Sequence, residues 1–150
     1  MTVYQEGPFS VSTDKDRLDI DVIYNWLSNV SYWAKDIPRE IVERAIAGSM
    51  CFGVYHEGAL IGFGRLVTDK ATFAYLMDVF ILEEWRGKGL SKMLMQAMLA
   101  HPELQDLRRW LLMTTDAHGL YSKFGFAALP EPGKVMTLAR PNPYAKKSSE

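Results

Sequence analysis

Gly87 and Gly89 alternate with the cations Arg86 and Lys88 in "FILEEWRGKGLSKMLM", the stretch from Phe80 to Met95. An apolar run ends there and a Leu/Met-rich periodic segment begins, so the cluster sits where a strand becomes a helix. The first four N–H groups of a helix have no partner within it and carry the positive end of its dipole. Glycines at that point let an anion approach the backbone closely. The run fits neither named phosphate loop: it lacks the early glycine of a P-loop, and Lys92 stands where a dinucleotide fingerprint needs its third glycine. An anion site and a plain turn with two solvated cations both remain open on this stretch alone.

Other residues with chemical capacity are few. Asp78 is the one charge in the apolar run "ATFAYLMDVFIL". Burial there disfavours an isolated carboxylate, so it is either a proton acceptor or a hydrogen-bonded structural group. Glu83 and Glu84 suit solvated or capping acids beside the loop. His118 is close enough in sequence to a tyrosine, Tyr121, to line a site with it, although a surface position on a short helix suits it as well. His56 beside a hairpin turn and His101 beside Pro102 carry no such signal. Cys51 lies in the apolar "SMCFGVY" and reads as a buried structural thiol. One cysteine excludes an intrachain disulfide framework and a Cys-rich zinc site, and no metal is expected.

These groups need elements to hold them. "FSVSTD" alternates as a first strand, followed by helices over "LDIDVIYNWLSNV" and "IPREIVERAIAGS", the second starting at Pro38 and stopping at Gly48. "MCFGVYHEGALIGFGRLVTD" reads as a hairpin turning at Glu57-Gly58. Ala71 to Leu82 reads as a central strand covered on both faces. Leu90, Met93, Leu94, Ala97, Met98 and Leu99 mark the inner face of the next helix. Arg108 to Thr115 reads as another buried strand, "DAHGLYSKF" as a short helix ended by Gly125, and the segment around "PEPGK" as two more strands. The expected order is β-α-α-β-β-β-α-β-α-β-β. The fold class is α+β, or α/β in the three-layer sense, with a mixed central sheet flanked by helices.

The chain of 150 residues suits one domain, expected over 1–140, with a polar C-terminal tail over 141–150. Hydrophobic residues make up 48% and charged residues 23%, with 17 basic against 18 acidic side chains. That balance gives no basic field for nucleic acid. The N-terminus lacks the basic start and apolar core of a signal peptide, and no apolar run approaches a membrane span. A cytoplasmic protein with no nucleic-acid or membrane partner is the expectation.

Two motifs in correct order carry a resemblance. "RGKGLS" resembles the Arg/Gln-x-x-Gly-x-Gly/Ala signature of the GCN5-related N-acetyltransferases (GNAT family), with Arg86 and Gly89 matching and Ser91 in place of a second small residue. "AHGLYSKFGF" resembles the family's second motif, Ala-x-x-Leu-Tyr-x-x-x-Gly-Phe, through Ala117, Leu120, Tyr121, Gly125 and Phe126. The sequence departs at Thr114, where Asn is frequent, and at Glu83, where Pro is common. The resemblance spans roughly residues 9 to 140, although the N-terminal third supports it only by pattern.

The resemblance implies the GNAT acyl-CoA N-acyltransferase fold and an acetyl-CoA-dependent acetyltransferase acting on an amine in a ternary complex. It implies that the backbone of Val79, Phe80 and Ile81 binds pantetheine between two splayed strands. Arg86, Gly87, Lys88, Gly89, Leu90 and Ser91 would hold the pyrophosphate, and Thr114 and Ala117 would complete the coenzyme A site. Tyr121 becomes the proton donor to the leaving thiolate, and Asp78 a candidate base unless a water relay serves. Tyr32 and Trp33 in "NVSYWAKDIP" would line the acceptor pocket, while Trp26 suits the core. A small-molecule amine is the expected acceptor. A protein N-terminus or lysine, a non-catalytic acyl-CoA binding module, and a structural domain with an incidental glycine turn are the alternatives. A homodimer is possible by association with the family.

Overall fold

The computed structural model describes residues 1–141, 143 and 144; part of the expected tail lies outside the described residues. One six-stranded sheet runs β1 (Thr2–Glu6), β2 (Phe9–Ser12), β3 (Met50–His56), β4 (Ala59–Thr68), β5 (Phe73–Ile81) and β6 (Arg109–Leu112), in that spatial order. The first five strands are antiparallel neighbours, and only β5 and β6 are parallel. Helices α1 (Ile20–Asn25) and α2 (Arg39–Ala47) separate β2 from β3. Helix α3 (Leu90–Leu99) makes the crossover that a parallel pair requires, and α4 (His118–Ser122) follows β6.

Helices cover both faces, so the sheet separates two cores. Strand alternation sorts β3 cleanly: Phe52 and Val54 join α3, while Cys51 and Tyr55 join α1 and α2. On the α3 side, Leu90, Met93, Leu94, Ala97 and Met98 are all buried, as their helical spacing predicts. Each of the leucine and methionine side chains contributes roughly 1.5–3 kcal/mol on burial. The other core gathers Ile23, Trp26, Leu27, Val42 and Ile46 against Phe63 and Phe80, and the Trp26 and Phe80 rings stack 4.5 Å apart. Asp19 caps α1 through the Val22 N–H (3.2 Å), and α1 continues into a wide π turn over Trp26–Val30.

Four sequence expectations need correction. The N-terminal fourteen residues hold a hairpin of two strands rather than one, because Gly7, at φ 60°, makes the turn. The parallel strand after α3 is four residues long and forms a half-exposed edge instead of a buried strand. With β6 outermost, the Ala71–Leu82 strand lies second from the sheet edge. The two strands expected around "PEPGK" do not form; Pro132–Lys134 is a single 3-10 turn, and Pro130 and Pro132 withhold N–H groups a ladder would need.

Gly62 marks the tightest packing between β4 and β5. A Cβ there would stand 2.6 Å from Ile81 Cδ1 and 3.1 Å from both the Phe80 carbonyl oxygen and Val54 Cβ. Since a backbone oxygen cannot swing aside, Gly62→Ala is expected to cost about 1–3 kcal/mol. A urea midpoint equal to the wild-type value would refute this packing.

Candidate active site

β5 and β6 pair from Phe73↔Arg109 to Leu76↔Leu112, and then part. β6 ends while β5 runs on to Ile81. A cavity of about 420 Å³ opens where they diverge, bounded by Met77, Asp78 and Val79 on one side and by Leu112, Met113 and Thr114 on the other.

The divergence has a local cause. Phe63 pairs with Phe80 but Arg65 pairs with Met77, so Asp78 and Val79 together face Gly64. β5 thus carries one extra residue, a bulge that bends the strand. The side chains record the shift: Ala74 and Leu76 point to the α3 core, but so does Ile81, while Phe80 points to the other core. Asp78 holds the bulge with φ 56°. Left-handed backbone costs a residue with a Cβ roughly 1–2 kcal/mol, and Asp is among the side chains that tolerate it best.

Asp78 does not stand alone. Its side chain is 8% exposed and that of Arg65 12%; the Arg65 Nε donates to Asp78 Oδ2 at 2.6 Å, and Trp33 Nε1 donates to Oδ1 at 2.8 Å. Arg65 also reaches the Ser49 hydroxyl (2.9 Å), which in turn donates to the Ala45 carbonyl at the end of α2.

Tyr121 lines the same cavity from α4 and is 8% exposed. The Ala117 N–H donates to Thr114 Oγ1 (3.0 Å), which fixes the entry to α4, and Phe126 meets the Tyr121 ring edge-on at 5.9 Å. The Tyr121 hydroxyl has no hydrogen-bond partner among the described residues, yet it is not sealed from the cavity. Burial above all, then Tyr32 and Asp116, pushes its pKa above the ordinary tyrosine value.

The glycine loop closes the far end of β5. Gly87 (φ 81°) and Gly89 (φ 77°) are both left-handed, a conformation other residues adopt at a cost, and open space surrounds each. The amides of residues 87–92 find no acceptor among the described residues. Arg86 folds back, its Nε donating to the Ile81 carbonyl at 3.2 Å, while Lys88 is exposed. An array of free amides at a helix start, next to a slot lined by strand backbone, fits the pyrophosphate and pantetheine of coenzyme A. Phe80 and Ile81 turn their side chains into the two cores, so only their backbone faces that role.

The Tyr32-Trp33 pair spans the slot. Trp33 bonds Asp78 on β5, and Thr115, beyond β6, donates its hydroxyl to the Tyr32 oxygen at 2.7 Å. The Tyr32 and Trp33 rings meet edge-on, 5.0 Å between centroids, and Trp33 lies 5.4 Å from Trp26. The residues singled out in the sequence come together at one cavity from three distant segments, Tyr32 and Trp33, Asp78 and Val79, and Thr114, Ala117 and Tyr121, whereas Phe80, Ile81 and the glycine loop lie outside its lining and Arg65, Thr115 and Asp116 were missed. Arg65 carried a usable signal, being the one cation in the buried hairpin "ALIGFGRLV". His118 is exposed and lines no part of the cavity; His56 packs at a tilt against Trp85 (4.5 Å between ring centroids), and His101 accepts from the Glu103 N–H.

A mixed sheet whose parallel pair splays beside a glycine-rich helix start defines a class of acyl-CoA-dependent transferase. The sequence profile of the Acetyltransferase (GNAT) family matches residues 20–126, and the chain belongs to this family. Its fold superimposes with a TM-score of 0.90 on a candidate GNAT acetyltransferase from Xanthomonas campestris pv. campestris, at 50% identity over 92% of this chain and 97% of that one. A candidate acetyltransferase of Gibberella zeae is 34% identical over a 142-residue alignment covering 80% of this chain and 79% of its own. The spermine/spermidine N(1)-acetyltransferase of Bacillus subtilis is 34% identical over 86 residues, covering 49% of this chain and 57% of that one. No helix among the described residues is long and apolar enough to cross a membrane.

Cys51 lies outside the cavity, 2% exposed, with its thiol directed at the Ile46 carbonyl (3.6 Å). Burial pushes its pKa up to about 11. In native protein at pH 8 it is expected to be inert to a thiol-reactive dye, and to react fully in denaturant; rapid native labelling would contradict this.

Proposed function

We propose that the protein transfers the acetyl group of acetyl-CoA directly to the amine of a small molecule within a ternary complex. The slot between β5 and β6, with Tyr121 in its lining, carries this reading. Acetyl-CoA would supply an activated thioester. The amides of residues 87–91, with the charges of Arg86 and Lys88, would hold its pyrophosphate, and the open edge of β5 from Val79 to Ile81 would pair with its pantetheine. Thr114 and Ala117 shape the same site by fixing where α4 begins.

The chain's own groups suit the rest of the chemistry. Leu82 donates its N–H to Ile61 on β4 (2.8 Å), so alternation turns the Ile81 N–H to the opposite side, where β6 has ended. That amide is the donor best placed for the thioester oxygen. Tyr121 keeps its proton well above neutral pH and delivers it to the departing sulfur. Tyr32 and Trp33 would form the acceptor wall. With Asp78 paired to Arg65, the lining offers the Asp116 carboxylate and the Tyr32, Trp33 and Tyr75 rings, which suit a positively charged amine. The Bacillus subtilis relative, named for acting on spermine and spermidine, supports an alkylamine acceptor. A cytoplasmic setting agrees with this use of acetyl-CoA.

Coenzyme A release in the presence of acetyl-CoA and a panel of small amines is the direct test. Turnover with at least one alkylamine is expected; binding without turnover would favour an acyl-CoA sensor, and turnover only with peptides would favour a protein acceptor. With the active amine, Tyr121→Phe is expected to lower kcat about 100-fold while acetyl-CoA affinity stays within about twofold. An unchanged kcat would remove Tyr121 from the mechanism.

A further inference from the structure

We propose that Asp78 is a positioning residue whose carboxylate, clamped between Arg65 and Trp33, sets the bend that opens the slot. The inference rests on the reading of that slot as the cofactor cleft.

The extra residue of β5 falls at Asp78 and Val79, the point where the strand leaves β6. Asp78 has left-handed backbone, which a bent strand retains only if its surroundings hold it. Both carboxylate oxygens are already engaged, one by Arg65 and one by Trp33. Arg65 is tethered through Ser49, itself buried, to the last turn of α2, so the clamp is rooted in the core rather than in a loop. A carboxylate so enclosed and so paired is fitted to hold geometry. A base, by contrast, needs a free lone pair facing the amine.

The clamp also joins the two substrate sides. Through Trp33 it fixes the segment that bears Tyr32, and Tyr32 accepts a hydrogen bond from Thr115 across the opening. Loosening Asp78 should therefore disturb cofactor affinity first and chemistry second.

Coenzyme A titration by calorimetry, with acetyl-CoA kinetics across pH, tests this in Arg65→Met, Asp78→Asn and the double variant. Arg65→Met leaves an unpaired buried carboxylate and is expected to weaken coenzyme A binding and raise the acetyl-CoA KM about tenfold, with kcat lowered no more than about threefold. Asp78→Asn keeps a side chain that tolerates left-handed backbone and still accepts a hydrogen bond, so its KM rises about threefold and the shape of kcat against pH is retained. The double variant recovers part of the loss caused by Arg65→Met, because the orphaned charge is gone.

Melting curves identify any variant that fails to fold, and Asp78→Gly, which accepts the same φ without the clamp, then takes its place with the expected KM rise. The proposal fails if Asp78→Asn loses kcat 100-fold or more together with its acid limb while the KM holds, since that marks a base. It fails equally if the variants change only the melting temperature. Wild-type protein that does not bind coenzyme A overturns the cleft reading itself, whereas intact wild-type binding with Arg65→Met unaffected overturns the clamp alone.

Discussion

Everything chemical in this protein depends on two neighbouring strands ceasing to pair. Parallel strands satisfy each other's backbone groups, and a strand that loses its neighbour exposes donors and acceptors that must find other partners. Here β5 loses β6 after Leu76 but remains bonded to β4 on its other side. The result is a sheet edge in the middle of the molecule, with its backbone groups facing a cavity. Such an edge is a binding surface for any extended, amide-bearing ligand.

The two cores allow this opening without loss of order. Phe80 is held by Trp26 and Phe63 on one face, while Ile81 is held by the α3 core on the other. The bent half of β5 is therefore anchored through its side chains at the place where its backbone on the β6 side is free. A strand gripped on only one face would follow its ligand; one gripped on both presents a fixed row of amides, so that less ordering remains to be done on binding.

Much of this was legible in the sequence, for physical reasons that differ by element. Helix α3 announced itself because its apolar residues recur at 3.6-residue spacing, and the glycine loop because two left-handed positions need two glycines. The acetyltransferase resemblance rested on those glycines and on the tyrosine motif, and the family match bears it out. The bulge at Asp78 was hidden. A strand covered on both faces has no polar–apolar phase, so a slip of one residue leaves no mark in "FAYLMDVFI". Arg65 and Thr115 were missed because their partners, Asp78 and Tyr32, lie 13 and 83 residues away. The strands expected around "PEPGK" failed for the opposite reason: a local apolar pattern was present, but no ladder formed to receive it.

The placement of the tryptophans has an optical consequence. Trp33 alone of the four lines the cavity, where it bonds Asp78; Trp26 stacks on Phe80 in the core, Trp85 packs against Phe9 and His56, and Trp110 pairs with Ala74 before the strands part. Trp33 therefore gives the native protein a built-in fluorescent gauge of whatever enters there, read against the steady emission of three indoles set outside the cavity.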